Sequence, residues 1–471
     1  MATPPAAPSA AASAPSSGPG TAPRPRTPRV VGVDTARGLA ILGMFVAHLG
    51  LERHTGFLTP TGWFWLADGR PSALFATLAG TGLAFMTKKA YATGDAAELA
   101  VQRVRLLKRS AILLVLGWVL TALGTPVAVI LGAYAVLFVL AMPFLRMRPA
   151  ALLLSAGVVA LVMPSLVLLS RYALLGATSP HAYAWEPAGQ VAIVLPVIAD
   201  LWSGYYPALS WLLYVLVGLA VGRMAMQRWQ TQLALLLGGA AVAAVAYLSG
   251  AALERSTTGL VQDLVTIEPH ADTTFEMVGN VGFAVAVLGL CLLLTTAVAP
   301  LRVLLTPVSA MGAMSLTVYS AHIVYIAVLG TDAVWNPVSN QPLIWLVVGS
   351  MVLATVWQVT LGQGPMERLI HRMIRPPAPP APPAPPAQQT WPPAQPWPAQ
   401  PGYQGPQPPA GTPYQPTPGY PVQQPPVGPP PAQAGQPVPP GWPGAGQQPG
   451  PAAPPRQTPP APAYPPSPPP R

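Results

Sequence analysis

Charge is what this sequence has least of. Asp, Glu, Lys and Arg make up 8% of its 471 residues, where a soluble domain carries about a quarter. Lysine occurs only at Lys88, Lys89 and Lys108, and cysteine only at Cys291, inside an apolar run. A disulfide within the chain is thereby excluded, and a cysteine-built metal site is not expected. The six histidines, His48, His54, His181, His270, His322 and His371, are far apart and form no HxxxH pair. No metal site is therefore expected. Phosphate-loop, GxSxG and dinucleotide fingerprints are missing as well. The formal charge is +10, but the basic residues are dispersed at the ends of apolar runs. That distribution fits membrane topology signals and argues against nucleic acid as a partner.

Apolar residues are what is there, at 51% of the chain. The class that follows is an all-α, polytopic membrane helix bundle whose first partner is the lipid bilayer. Residues 1–28 hold Ala, Pro, Ser and Gly with no apolar h-region, so they read as a disordered segment and the first span as the insertion signal. Apolar runs follow at about 30–50, 72–87, 110–123, 127–145, 150–170, 208–224, 231–249, 273–297, 309–329 and 342–361. These make ten spans, and the short run 191–202 is a candidate eleventh. With ten spans and a cytoplasmic N-terminus, the basic residues of the loops fall inside, apart from Arg53, Arg70, Arg171 and Arg255. Residues 191–202 then read as an outer-face or re-entrant helix, and both termini lie in the cytoplasm of a cell-membrane protein. From residue 376 to 471 the chain turns to Pro, Gln, Ala and Gly, a disordered proline-rich tail. A solvated tether and a docking strip for a polyproline-reading partner both fit it.

The first span, RVVGVDTARGLAILGMFVAHLG, carries Asp34, Arg37 and His48. Arg37 and His48 are separated by about 16 Å of rise and only about 20° of rotation, so they share a helix face. Asp34 stands three residues before Arg37 and can pair with it. Such charges in a span are functional suspects, although capping and snorkelling also account for them. In the eighth run Asp272, Glu276 and Asn280 recur every four residues and line one face, either to hold polar hydroxyls or to pair with Arg37 or Arg70. Ser315, Tyr319 and His322 share a face of the ninth. His54, Asp68 and Arg70 flank the second span. Arg103, Arg105, Lys108 and Arg109 cluster on the inner side, as the positive-inside bias alone would place them or as a seat for phosphate groups.

Arg37, ten residues, then His48 resembles the signature of acyltransferase family 3. The wider string VVGVDTARGLAILGM is similar to the opening of heparan-α-glucosaminide N-acetyltransferase-like and YeiB-like (domain of unknown function 418 type) membrane proteins. GRPSALFATLAG, GYYPALSWLLYVLVGLAVGR, SLTVYSAHIVY and GPMERLIHR extend the resemblance over residues 29–375. It implies a transmembrane acyltransferase domain there. The implied reaction moves an acyl group, taken as acetyl, from acyl-CoA (acetyl-CoA) to a cell-envelope glycan or glycolipid. On this reading His48 is the general base, with His54 the other candidate, and Arg37 and Asp34 support it. Arg103, Arg105, Lys108 and Arg109 seat the coenzyme phosphates. Asp68, Arg70, Asp272, Glu276, Asn280 and His322 bind substrate. The alternative is a transporter or flippase for a polar lipid or metabolite. A third reading is a scaffold that works through its tail.

Overall fold

A computed structural model describes residues 30–51, 59–175 and 199–374, all within one compact unit, Met1–Pro382. The expectations for 1–28, His54, most of 191–202 and the 376–471 tail fall outside the described residues. Within them every regular element is helical. In chain order these are α1 (Val31–Leu49), α2 (Arg70–Met86), α3 (Lys88–Thr93), α4 (Ala96–Thr121), α5 (Leu131–Leu140) and α6 (Pro149–Leu175). Then come α7 (Ala208–Val221), α8 (Trp229–Ser256), α9 (Leu260–Val265), α10 (Thr274–Ala297) and α11 (Ala299–Leu304). The last are α12 (Thr306–Ala313), α13 (Ser315–Leu329), α14 (Asp332–Trp335), α15 (Gln341–Thr360) and α16 (Pro365–Ile374). Short 3₁₀ or π turns cover Pro60–Ala67, Met142–Arg146 and Ala199–Ser203.

This is a multi-pass membrane architecture. Five helices, α1, α6, α8, α10 and α15, are long and apolar enough to cross a bilayer. The α12–α13 pair makes six if it counts as one span. The expected ten or eleven spans are not reached by this criterion, for a physical reason. The run read as 127–145 contains a helix of only 10 residues, and that read as 208–224 one of 14. Helix α4 carries Glu98, Arg103, Arg105, Lys108 and Arg109 within residues 96–109, too many charges for a span of that length.

Small residues set the helix spacing. A Cβ on Gly312 of α12 would collide with the Asp34 carbonyl oxygen, and one on Gly38 of α1 with that of Val308. Thr35 and Ser309 share a 2.8 Å hydrogen bond at the same crossing. Helices α2 and α7 approach as closely, with Gly218 against the Thr77 carbonyl. Without a hydrophobic drive between helices in lipid, such backbone approach supplies the packing. Helix α7 is buried almost all round, packed among α2, α5 and α6, whereas α6, α8 and α15 present Leu and Val outward.

Two interruptions are repaired locally. Pro164 lies inside α6, where it removes the donor for the Ala160 carbonyl. Thr274 Oγ1 donates to that oxygen at 2.9 Å instead. The run read as one span over 309–329 is broken at Met314 and bent by 88°. The N–H groups freed at the start of α13 would be costly in lipid. Glu367 of α16 accepts them, from Leu316 at 2.8 Å and Thr317 at 3.1 Å, and its other oxygen takes the Thr317 hydroxyl at 2.6 Å.

Candidate active site

Helix α1 brings His48 to its last turn, and α13 brings His322 to meet it. His48 Nδ1 and His322 Nε2 are 3.3 Å apart, with the rings nearly parallel at 14°. Phe45 packs on His322 at 5.2 Å between centroids, and Tyr319 meets it edge-on at 4.9 Å. The end of α1 is clamped by Asn340, whose amide exchanges two hydrogen bonds with the Leu51 backbone, at 2.7 and 3.1 Å. Tyr319 is itself fixed because its hydroxyl accepts the Ile130 N–H at 3.1 Å, ahead of α5.

A buried ring nitrogen of this pair lacks a side-chain partner. His322 is fully buried; beyond His48 its ring has the Tyr319 backbone within reach, and its Nδ1 closes no hydrogen bond with a side chain among the described residues. Tyr134, within electrostatic reach of Tyr319, carries a buried hydroxyl in the same condition. Leaving such an atom unpaired costs about 1–3 kcal/mol, so an orphaned ring nitrogen beside a histidine pair calls for a bound group.

At the N-terminal end of α10 a second polar cluster forms. Arg171, 0% exposed, donates to Asp272 Oδ2 at 3.3 Å and to the Gly204 carbonyl at 3.1 Å. Trp211 Nε1 donates to Asp272 Oδ1 at 2.9 Å. Glu276 accepts the Asp272 N–H at 2.8 Å, the His270 N–H at 3.1 Å and the Asn280 amide at 2.9 Å. Both backbone donors face one carboxylate because His270 and Asp272 are left-handed, at φ 65° and 55°. Residues with side chains hold that conformation at a cost of about 1–3 kcal/mol each, which the carboxylate contacts offset. Tyr247 donates to Asn280 at 2.6 Å, and the Arg70 guanidinium lies 5.3 Å from the Tyr247 ring and 5.2 Å from Trp65. Just outside the spans, burial pushes the Tyr205 phenol well up, and the charges of Asp272, Glu276 and Asp68 add to the shift.

Residues 29–254 match the family model described as heparan-alpha-glucosaminide N-acetyltransferase, catalytic. Residues 221–376 match that of the protein of unknown function DUF418. The chain is thus similar to both families, and the two matches overlap over residues 221–254. No curated protein matches it. The first match contains His48 and the second His322, so the histidine pair joins the two matched segments of the HGSNAT-like bundle.

The candidate residues of this HGSNAT-like chain thus fall into three groups. His48 and His322 meet directly. Asp272, Glu276, Asn280 and Arg70 gather in the second cluster, and Asp68 sits beside them, its carbonyl oxygen accepting the Arg70 N–H at 2.8 Å. Asp34 and Arg37 form a 3.2 Å ion pair three turns from His48, with the Arg37 guanidinium lying where a side chain on Gly82 would be. Arg109 feels the charges of Arg37 and Glu367 and lies 5.8 Å from the Phe138 ring. Arg105, Lys108 and Arg109 share a face of α4. Arg103 points about 160° from Arg105 and reaches the Met142 carbonyl at 3.4 Å. The sequence reading offered Arg37 or Arg70 as the structural partner of Asp272; the partner is Arg171. Reasoning from sequence missed Arg171, Trp211, Tyr134 and Tyr247. For Arg171 a signal existed, an arginine closing a long apolar run.

Proposed function

We propose that the bundle transfers an acetyl group from acetyl-CoA to a hydroxyl or amine of a cell-envelope glycan or glycolipid. The observation that carries this reading is the His48–His322 pair, in which His322 Nδ1 has no side-chain partner among the described residues. One hydrogen bond joins the rings, so one proton is shared out between Nδ1 of His48 and Nε2 of His322. For His48 to act as a base, its Nδ1–H donates and its Nε2 keeps a free lone pair. His322 then carries its own proton on Nδ1, the atom without a side-chain partner. That N–H is a ready donor for the carbonyl oxygen of a thioester.

The reaction follows from those roles. His48 Nε2 takes the proton of the acceptor O–H or N–H as the oxygen or nitrogen bonds to the thioester carbon. The negative charge that develops on the carbonyl oxygen meets the His322 Nδ1–H. The C–S bond then breaks, and the departing sulfur recovers the proton from His48. Arg105, Lys108 and Arg109 suit the coenzyme phosphates, and Arg37, set by Asp34, orients the donor. Arg70 and Tyr247 offer polar contacts to the acceptor, over a floor fixed by Asp272, Glu276 and Asn280. The adopted orientation, with both termini cytoplasmic, rests on the basic-residue bias.

The 88° break between α12 and α13 favours a second reading, a transporter or flippase, since discontinuous helices are used in such proteins. Purified protein in detergent, given labelled acetyl-CoA and an envelope lipid-glycan extract, separates the two. Label reaching the extract supports transfer. A sealed-vesicle requirement, with the substrate chemically unchanged, supports transport.

A further inference from the structure

A recess of about 360 Å³ lies at the polar end of α6, away from the histidine pair, lined by Tyr91, Ala92, Gly94, Arg146 and Arg148. Its geometry is fixed from behind. Arg223 donates to the Leu145 carbonyl at 2.6 Å and stacks 4.0 Å from the centre of the Tyr91 ring. Arg146 donates to the Gly94 carbonyl at 3.1 Å, which ties the α3–α4 turn to the turn before α6. The Arg148 side chain is exposed and makes no hydrogen bond among the described residues, its carbonyl oxygen alone accepting the Leu152 N–H at 3.0 Å. Nearby acids are committed elsewhere: Glu98 binds Lys89 and Gln102, each at 2.8 Å, and Asp95 caps α4 through the Ala97 N–H. The recess is therefore a site of uncompensated positive charge.

Its place in the fold selects the ligand. Arg148 directly precedes α6, a helix able to span the bilayer, whose Leu154, Val158 and Leu161 form an exposed apolar stripe. The two arginines thus stand at headgroup depth, with a lipid-facing surface running away from them. Guanidinium forks match phosphate oxygens, and basic pockets at such a level attract anionic lipids.

We propose that Arg146 and Arg148 hold the phosphodiester headgroup of an anionic glycerophospholipid, its acyl chains lying along the exposed surface of α6. This site is independent of the acetyl-transfer reading.

The test is native mass spectrometry of delipidated full-length protein titrated with phosphatidylglycerol or phosphatidylcholine. Arg148→Gln, whose side chain has no internal bond to lose, is expected to weaken phosphatidylglycerol retention about fivefold. Arg146→Gln/Arg148→Gln is expected to weaken it further, leaving phosphatidylcholine retention unchanged. Arg302→Gln, at another helix end, is the charge-matched control and should match wild type. Equal loss in Arg302→Gln, no preference between the lipids, or displacement by millimolar glycerol 3-phosphate would each overturn the lipid assignment.

Discussion

The two polar clusters of this bundle differ in how completely they are satisfied. Around Glu276, both carboxylate oxygens, the Asn280 amide and both oxygens of Asp272 have protein partners. At His322, a ring nitrogen has no side-chain partner among the described residues, and the Tyr134 hydroxyl of α5 has no partner there at all. Both clusters sit where an unpaired polar group is expensive. A closed network needs no ligand, and its yield is a fixed backbone. An open one is stable only when something completes it. On the proposed function, the Glu276 cluster therefore reads as scaffold beneath a binding surface, and the histidine cluster as the reacting centre.

Substitutions can break that contrast, the largest effect coming from Arg171. Arg171→Leu leaves Asp272 charged and buried, at a cost of about 3–5 kcal/mol. Little folded protein is expected by size-exclusion chromatography in detergent. Arg171→Leu/Asp272→Asn should restore much of it, since the buried charge is gone while the amide oxygen still accepts from Trp211 and Asn tolerates the left-handed backbone. Next, Gly218→Ala forces α2 and α7 apart at the Thr77 carbonyl and should cost about 1–3 kcal/mol, read as a lower thermal midpoint. Glu367→Gln weakens the acceptor for the two N–H groups at the start of α13 and should cost about 1 kcal/mol. The smallest change in stability belongs to Tyr134→Phe. Removing an unpaired hydroxyl should leave the midpoint level or slightly raised. A fall would mean that the hydroxyl is already satisfied.

How much of this was legible in the sequence depended on range. Helix α1 and its Asp34–Arg37 pair are local, and spacing alone gave them. The shared face of Asp272, Glu276 and Asn280 was equally visible, as was that of Tyr319 and His322. The partners were not. Arg171 lies 101 residues from Asp272, and His48 lies 274 from His322. The break at Met314 has no proline at the kink to announce it, and the carboxylate that stabilises it arrives from α16. Helix α5 is shorter than the run because hydropathy continues through Pro143, which stands in the separate 3₁₀ turn Met142–Arg146 after the helix closes at Leu140. In α6 the reverse held: Pro164 suggests an end, but Thr274 supplies the missing donor from another helix.

The most direct test of the central claim is acetyl transfer by His48→Ala beside its thermal midpoint. The account predicts a rate lower by about 10²–10⁴-fold with a midpoint near that of the unaltered protein. Transfer at the unaltered rate by a normally folded variant would contradict it.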